Sequence, residues 1–229
     1  MQRGRPRNFD KAEALNTALE LFWRHGYEGT SMAMLTEAIG VNVASLYAAF
    51  GNKERFFVQC VERYSELNGD LYHESLKKET ARDVARSILE GEVELVTRRG
   101  APDGCLMIQG ALATSPDSEK IRKMMAQLRA MAEKWMADRF RKAVEEGDLP
   151  SDADPAALAC YLMTVNSGLA VQAKSGVGKK QLLKVVEIAM REWPPATKGK
   201  GIYKSGAGAL NMSASGGKAD IPDTFSNVR

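Results

Sequence analysis

Between Thr30 and Phe57 lies TSMAMLTEAIGVNVASLYAAFGNKERFF, a stretch that admits few folds. It divides into two short helical segments and the start of a third. Each is opened by a residue whose side chain accepts an orphan amide hydrogen bond: Thr30 or Ser31, then Asn42, then Asn52. Leu35 and Ile39, four apart, share one face of the first segment, and Leu46 and Phe50 do the same in the second. Gly40 and Gly51 supply the stops, because glycine tolerates the left-handed backbone that ends a helix. Ala44, Ser45, Tyr47 and Ala48 are left on the outer side of the second segment. Helix, glycine turn and helix make the helix-turn-helix plan, whose second helix lies in the DNA major groove. A core hairpin with no DNA role has similar spacing and is the competing reading on pattern alone.

The flanks favour DNA. Residues 1–9 carry Arg3, Arg5 and Arg7 with Gly4 and Pro6 between them. Pro6 biases this run to extended backbone, so it is an arm, suited to phosphates or the minor groove. A solvated terminus is the alternative, and the adjoining helix-turn-helix weighs against it. Bulk charge argues nothing here. The net charge is +3, and residues 195–229 alone account for it, which leaves residues 1–194 neutral overall. Asp10 opens a helix with Glu13 in its first turn and an apolar stripe of Leu15, Ala18, Leu19 and Phe22. Gly26 ends it, Tyr27 packs into the small domain, and Trp23 and His25 read as structural.

The run IGVNVASLYAAFGNKERFF resembles the signature of the TetR family of bacterial transcriptional regulators. So does the lead-in that starts at Ala14 and runs through ALELFWRHGYEGTSM. The Leu46-Tyr47 pair, Phe50, Lys53-Glu54 and the Gly-Tyr-Glu-Gly-Thr run at 26–30 fall where that family has theirs. The resemblance implies an all-α homodimeric repressor. Its N-terminal three-helix domain would hold the helix-turn-helix, and its C-terminal helical domain would bind ligand and dimerise. The double-stranded DNA operator is then the partner. Thr30, Ser31, Tyr47 and Lys53 are placed to bind phosphates, and Asn42, Ser45 and Tyr47 to hydrogen-bond bases. Members of the family often carry a basic residue at the position of Val43 and a larger polar or aromatic one at that of Ala48. Here Val43, Ala44 and Ala48 offer apolar contacts to thymine methyls instead.

Beyond Lys53 the pattern stays helical. One helix runs to about residue 78 and links the two domains, and another covers about 80–99. Residues 101–104 form a turn, CLMIQGALAT a short apolar helix, and a long amphipathic helix follows Ser115-Pro116 to about Glu146. Helices at about 155–174 and 179–193 are apolar over so much of their circumference that they need burial on two sides. One side faces the domain core, and the other faces the same helices of a second copy in a four-helix bundle. The expected organisation is a basic arm at 1–9, a DNA-binding domain at 10–57, a ligand-binding and dimerisation domain at 58–194, and a tail at 195–229. That tail is rich in Gly, Ser, Ala and Lys and is expected to be disordered.

No Gly-rich phosphate loop, GxSxG, HExxH or CxxC is present, so no catalytic residues are assigned. Three widely spaced cysteines and two histidines suggest neither disulfide framework nor metal site, and no cofactor is called for. The carboxylates read as solvated helix faces. No apolar run approaches the ~20 residues of a membrane helix, and the basic N-terminus lacks a signal segment, which points to the cytoplasm and no membrane partner.

An unknown small-molecule inducer is expected in a pocket between the helices of about 80–174. Met107, Met124, Leu128, Met131, Trp135 and Tyr161 are the candidate lining, though each also fits plain core. Cys105 follows Gly104 at a helix start, where free amides lower a thiol pKa, so it is either a reactive sensor thiol or a small buried hydrophobe. Cys60 and Cys160 sit on apolar faces and read as structural. Together these readings describe a repressor released from its operator by a small ligand or by thiol modification. The alternative is a helical small-molecule or redox-sensing dimer without specific DNA binding.

Overall fold

The computed structural model describes residues 10–191 and 193–194; the arm with Arg3, Arg5 and Arg7 and the 195–229 tail lie outside the described residues. Asp10 caps α1 (Lys11–Gly29), its Oδ1 accepting from the Ala12 and Glu13 amides at 2.7 and 3.2 Å. The helix kinks at Gly26, whose φ of 71° is left-handed. Ser31, not Thr30, caps α2 (Met32–Ile39), accepting from Met34 N at 3.1 Å. Asn42 caps α3 (Val43–Phe50) at 2.8 Å and Asn52 caps α4 (Lys53–Asn68) at 2.9 Å. Helices α1, α3 and α4 meet through aromatic rings. Phe22 lies 5.1 Å from Phe57 and Tyr27 lies 5.2 Å from Phe57, while Phe50 stacks on Phe56 at 4.0 Å.

The predicted helix from Lys53 to residue 78 is two helices. Gly69 separates α4 from α5 (Asp70–Leu76), which lies against α6 (Ala81–Val96). Gly91 of α6 makes room for this, since a Cβ there would overlap the Leu71 side chain. The predicted short helix over CLMIQGALAT shrinks to α7 (Leu106–Gln109). The carbonyl of Gly110 accepts from the amide of Tyr27 at 2.7 Å, so it is taken from the helical ladder and the helix stops. A 3-10 turn (Pro116–Ser118) then leads into α8 (Glu119–Glu145).

Asp154 caps α9 (Pro155–Lys174), and α10 (Lys179–Arg191) packs on α6 and α9. By length and composition α9, with mean hydropathy 1.3, is apolar enough to cross a membrane. This corrects the expectation that no run approaches that length. Its apolar character serves burial: Leu158, Leu162 and Leu169 are in the core, packed between α6 and α8.

Phe57 is fully buried at the centre of the ring cluster. Phe57→Ala is expected to cost about 3–5 kcal/mol of unfolding free energy, read by urea denaturation.

Candidate functional site

The axes of α2 and α3 turn through 97°, with Gly40 in left-handed conformation at φ 74° between them. Leu35, Leu46 and Phe50 anchor this pair in the core. The opposite side of α3 is open: Val43 is 44% and Tyr47 is 47% exposed, and Ala44 and Ala48 are exposed beside them. Ser45 is half-buried, its amide held by the Asn42 cap. The Asn42 side-chain oxygen accepts at that cap, which leaves its amide nitrogen as a donor for a base. Ser31 is exposed at the start of α2. Lys53 is half-buried, its Nζ 4.3 Å from the centroid of the Tyr27 ring, and burial lowers its pKa.

Thr30 departs from the expected role. It is fully buried, and its hydroxyl donates to the Gly26 carbonyl at 2.8 Å. That bond ties down the kink of α1, whose carbonyl the left-handed Gly26 turns out of the helix, so Thr30 is not a phosphate contact.

A second feature is a cavity of about 250 Å³ enclosed by α4, α5, α6, α8 and the residues around α7. Cys105, Met107, Leu128, Met131 and Trp135 line it. Met124 does not: it faces Asn52 and Arg55 in a separate surface depression at the start of α4. Tyr161 does not either, because its ring packs 6.1 Å from Trp193. The cavity also draws Tyr64 and Asn68 from α4 and Tyr72 and His73 from α5, beyond the predicted 80–174 walls.

Glu92 of α6 lines this cavity and was missed, because the carboxylates were all assigned to solvated faces. It is fully buried, and among the described residues neither carboxylate oxygen has a hydrogen-bond partner. Desolvation raises its pKa from 4.5 to about 7; the nearby Asn166 amide and Cys105 thiol oppose the rise but do not offset it. Asn166 instead donates to the Tyr72 hydroxyl at 3.1 Å, and the Tyr64 hydroxyl donates to Cys105 Sγ at 3.3 Å. The thiol of Cys105 is shifted upward, the reverse of the expectation. Burial dominates, the Glu92 charge adds to it, and the Tyr64 hydroxyl with the Ile108 and Met107 amides only partly oppose it. Cys60 is buried as expected, whereas Cys160 is exposed, on the side of α9 turned away from its own core.

The cavity wall is also the socket for α1. Trp23 Nε1 donates to the carbonyl of Gly104 at 2.8 Å, and the Trp23 ring meets Tyr64 edge-on at 4.8 Å. The Tyr27 amide bonds Gly110, and Glu28 Oε1 accepts from the amide and hydroxyl of Ser115 at 2.8 and 2.9 Å. Residues 104–115 therefore touch the cavity on one side and the DNA-binding helices on the other.

Comparison with known proteins places this architecture. Residues 14–60 match the family described as bacterial regulatory proteins, tetR family, and residues 84–186 match the tetracyclin repressor-like C-terminal domain. The chain belongs to the TetR family. It is a DNA-binding transcriptional regulator, in a family that does not catalyse reactions. The HTH-type transcriptional repressor ComR of Escherichia coli is 31% identical over 198 residues, covering 86% of this chain and 94% of that one. The repressor BdcR of the same organism is 28% identical over 190 residues, covering 81% and 90%. A solved structure of the regulator CifR, a variant with three cysteines replaced and in complex with 26-bp operator DNA, is 40% identical. It superposes with a TM-score of 0.78 over 83% of this chain and 100% of that chain.

The buried carboxylate generates a pH-dependent stability. Because the folded pKa of Glu92 lies above 4.5, its ionisation favours the unfolded chain. Stability is lost as pH rises from about 4.5 through about 7, and is fully present below that window. Glu92→Gln is therefore expected to stabilise the fold by about 1–3 kcal/mol at pH 8 and hardly at all near pH 4.5, by urea denaturation at both pH values.

Proposed function

We propose that the chain is a homodimeric repressor that works in the cytoplasm and leaves its operator when a small effector fills the α4–α8 cavity. The observation that carries this reading is the double role of residues 104–115, whose Cys105 and Met107 line the cavity while Gly104 and Gly110 hold α1. An occupant that pushes this segment moves α1 and, with it, the α2–α3 pair. A ligand with better affinity for the displaced arrangement then lowers operator affinity by the same coupling energy.

On DNA, α3 enters the major groove. Tyr47 and Ser45 supply polar contacts, Val43, Ala44 and Ala48 meet thymine methyls, and the Asn42 amide nitrogen lies at the helix start. Ser31 and Lys53 take phosphates, Lys53 from the first turn of α4, where the helix dipole also favours an anion. The arm residues Arg3, Arg5 and Arg7 belong to the same reading as minor-groove or phosphate contacts. Tyr47→Ala removes an exposed side chain without touching the core. It is expected to weaken binding to an operator selected from random sequences by roughly tenfold or more at constant salt, by fluorescence anisotropy.

The dimer is formed by α9 and α10. Ala157, Cys160, Thr164, Gly168 and Val171 make an exposed, uncharged stripe along α9 at helical spacing, and Val185 and Ile188 extend it on α10. Small residues there let two copies approach closely. Ile188 is 64% exposed in the single chain, far more than an apolar side chain gains from solvent. Ile188→Asp would bury an unpaired charge in the interface, so it is expected to yield monomers by sedimentation and to abolish high-affinity operator binding.

Cys105 lines the same cavity, but burial holds its thiol protonated. Occupancy of the cavity, and not thiolate chemistry, is the trigger in this reading.

A further inference from the structure

The cavity contains an unanswered charge. Glu92 is fully buried, lines the space, and has no hydrogen-bond partner for either carboxylate oxygen among the described residues. A carboxylate stripped of water and left unpartnered is among the most costly groups a core can hold. The protein around it does not answer it. The facing groups are the Tyr64 and Tyr72 hydroxyls, the Cys105 thiol and the Asn166 amide; Tyr64 donates to Cys105 and Asn166 to Tyr72, and the thiol and amide offset the desolvation of Glu92 only in part. Among the described residues, the one guanidinium that lines the cavity, Arg129, donates to the backbone carbonyl of Met107 at 3.0 Å, and no cationic side chain offsets the desolvation of Glu92. The rest of the wall is mostly apolar or aromatic, apart from Ser65 and Asn68 of α4, with Trp135 and the exposed His73, rings 5.5 Å apart, on the solvent side.

From this geometry we propose that the effector is a small organic amine, bound as its ammonium ion, with its nitrogen on Glu92 and its apolar body against Met107, Leu128, Met131 and Trp135. The proposal rests on the reading of this cavity as the effector site and adds the chemical class of what fills it. An ammonium donates the hydrogen bonds that both oxygens lack and neutralises the charge in the same step. A volume of about 250 Å³ lies just below the ~300–1,000 Å³ of drug-sized sites, so one ring with a short chain fills it. An anionic effector would place like charge against Glu92.

The test compares isosteres that differ in charge: 2-phenylethylamine, 2-phenylethanol and phenylacetate, titrated into the full-length wild-type protein by calorimetry at pH 8. The amine is expected to bind roughly ten- to hundredfold more tightly than the alcohol, the range a charge-assisted hydrogen bond is worth, and phenylacetate more weakly still. In Glu92→Gln that preference is expected to fall to near parity. Binding of the alcohol or the acid as tightly as the amine, no binding of the amine, or an amine preference that survives Glu92→Gln would each overturn the proposal. The wild-type comparison is decisive by itself if the variant does not fold. Operator release by the same compounds is read separately. Amine binding without release overturns the effector reading and leaves the site standing. Release by the alcohol or acid but not by the amine does the reverse.

Discussion

The bond from Trp23 Nε1 to the Gly104 carbonyl spans 81 positions of sequence and joins the two halves of the molecule. Around it the Tyr27 amide holds Gly110, Glu28 holds Ser115, and Lys174 donates to the Arg24 carbonyl at 2.9 Å. A small three-helix domain built on Phe22, Phe50, Phe56 and Phe57 has its own ring core, yet its first helix ends in a socket that the other domain supplies. The left-handed Gly26 makes this possible: its conformation turns Tyr27 toward Gly110, and a Cβ at Gly26 would come within 3.3 Å of that carbonyl. The helix against which α2 packs is thus held by a segment that also walls the cavity.

Much of the fold was legible because helix ends are local chemistry. Asp10, Ser31, Asn42, Asn52 and Asp154 cap in the structure as their side chains and positions require. The open face of α3 followed from Leu46 and Phe50 alone. What periodicity does not supply is the identity of the neighbour a face meets. Met124 and Leu128 are four apart on α8, yet Leu128 reaches the cavity while Met124 lies over the start of α4. Tyr161 is apolar enough to line a pocket, and it meets Trp193 because α9 turns that side away. Thr30 was ambiguous between cap and contact because the kink at Gly26, which consumes its hydroxyl, is a tertiary arrangement.

Glu92 carried a signal in the sequence. It sits in the stripe Ala85, Ile88, Leu89, Glu92, Val93 and Val96, where every other member is apolar, and all of these side chains are buried. A charge on a core stripe has to be paired, neutralised or used. Here no hydrogen-bond partner for it is found among the described residues, and the proposed amine site gives it a use. The cost of holding it falls on stability, as is usual where an ordinary core residue would pack better but do less. Cys105 shows the opposite case: its helix-start position suggested reactivity, and burial with a neighbouring carboxylate overrode the local amides.

The central claim is that residues 104–115 mechanically couple the cavity to the DNA-reading face. Hydrogen exchange of the free protein and of its operator complex tests it most directly, because in the proposed reading α3 and not this segment touches DNA. The account predicts that operator binding changes protection of the Tyr27 amide and of the amides in 104–110. Protection changes confined to α2, α3 and the start of α4 would contradict it.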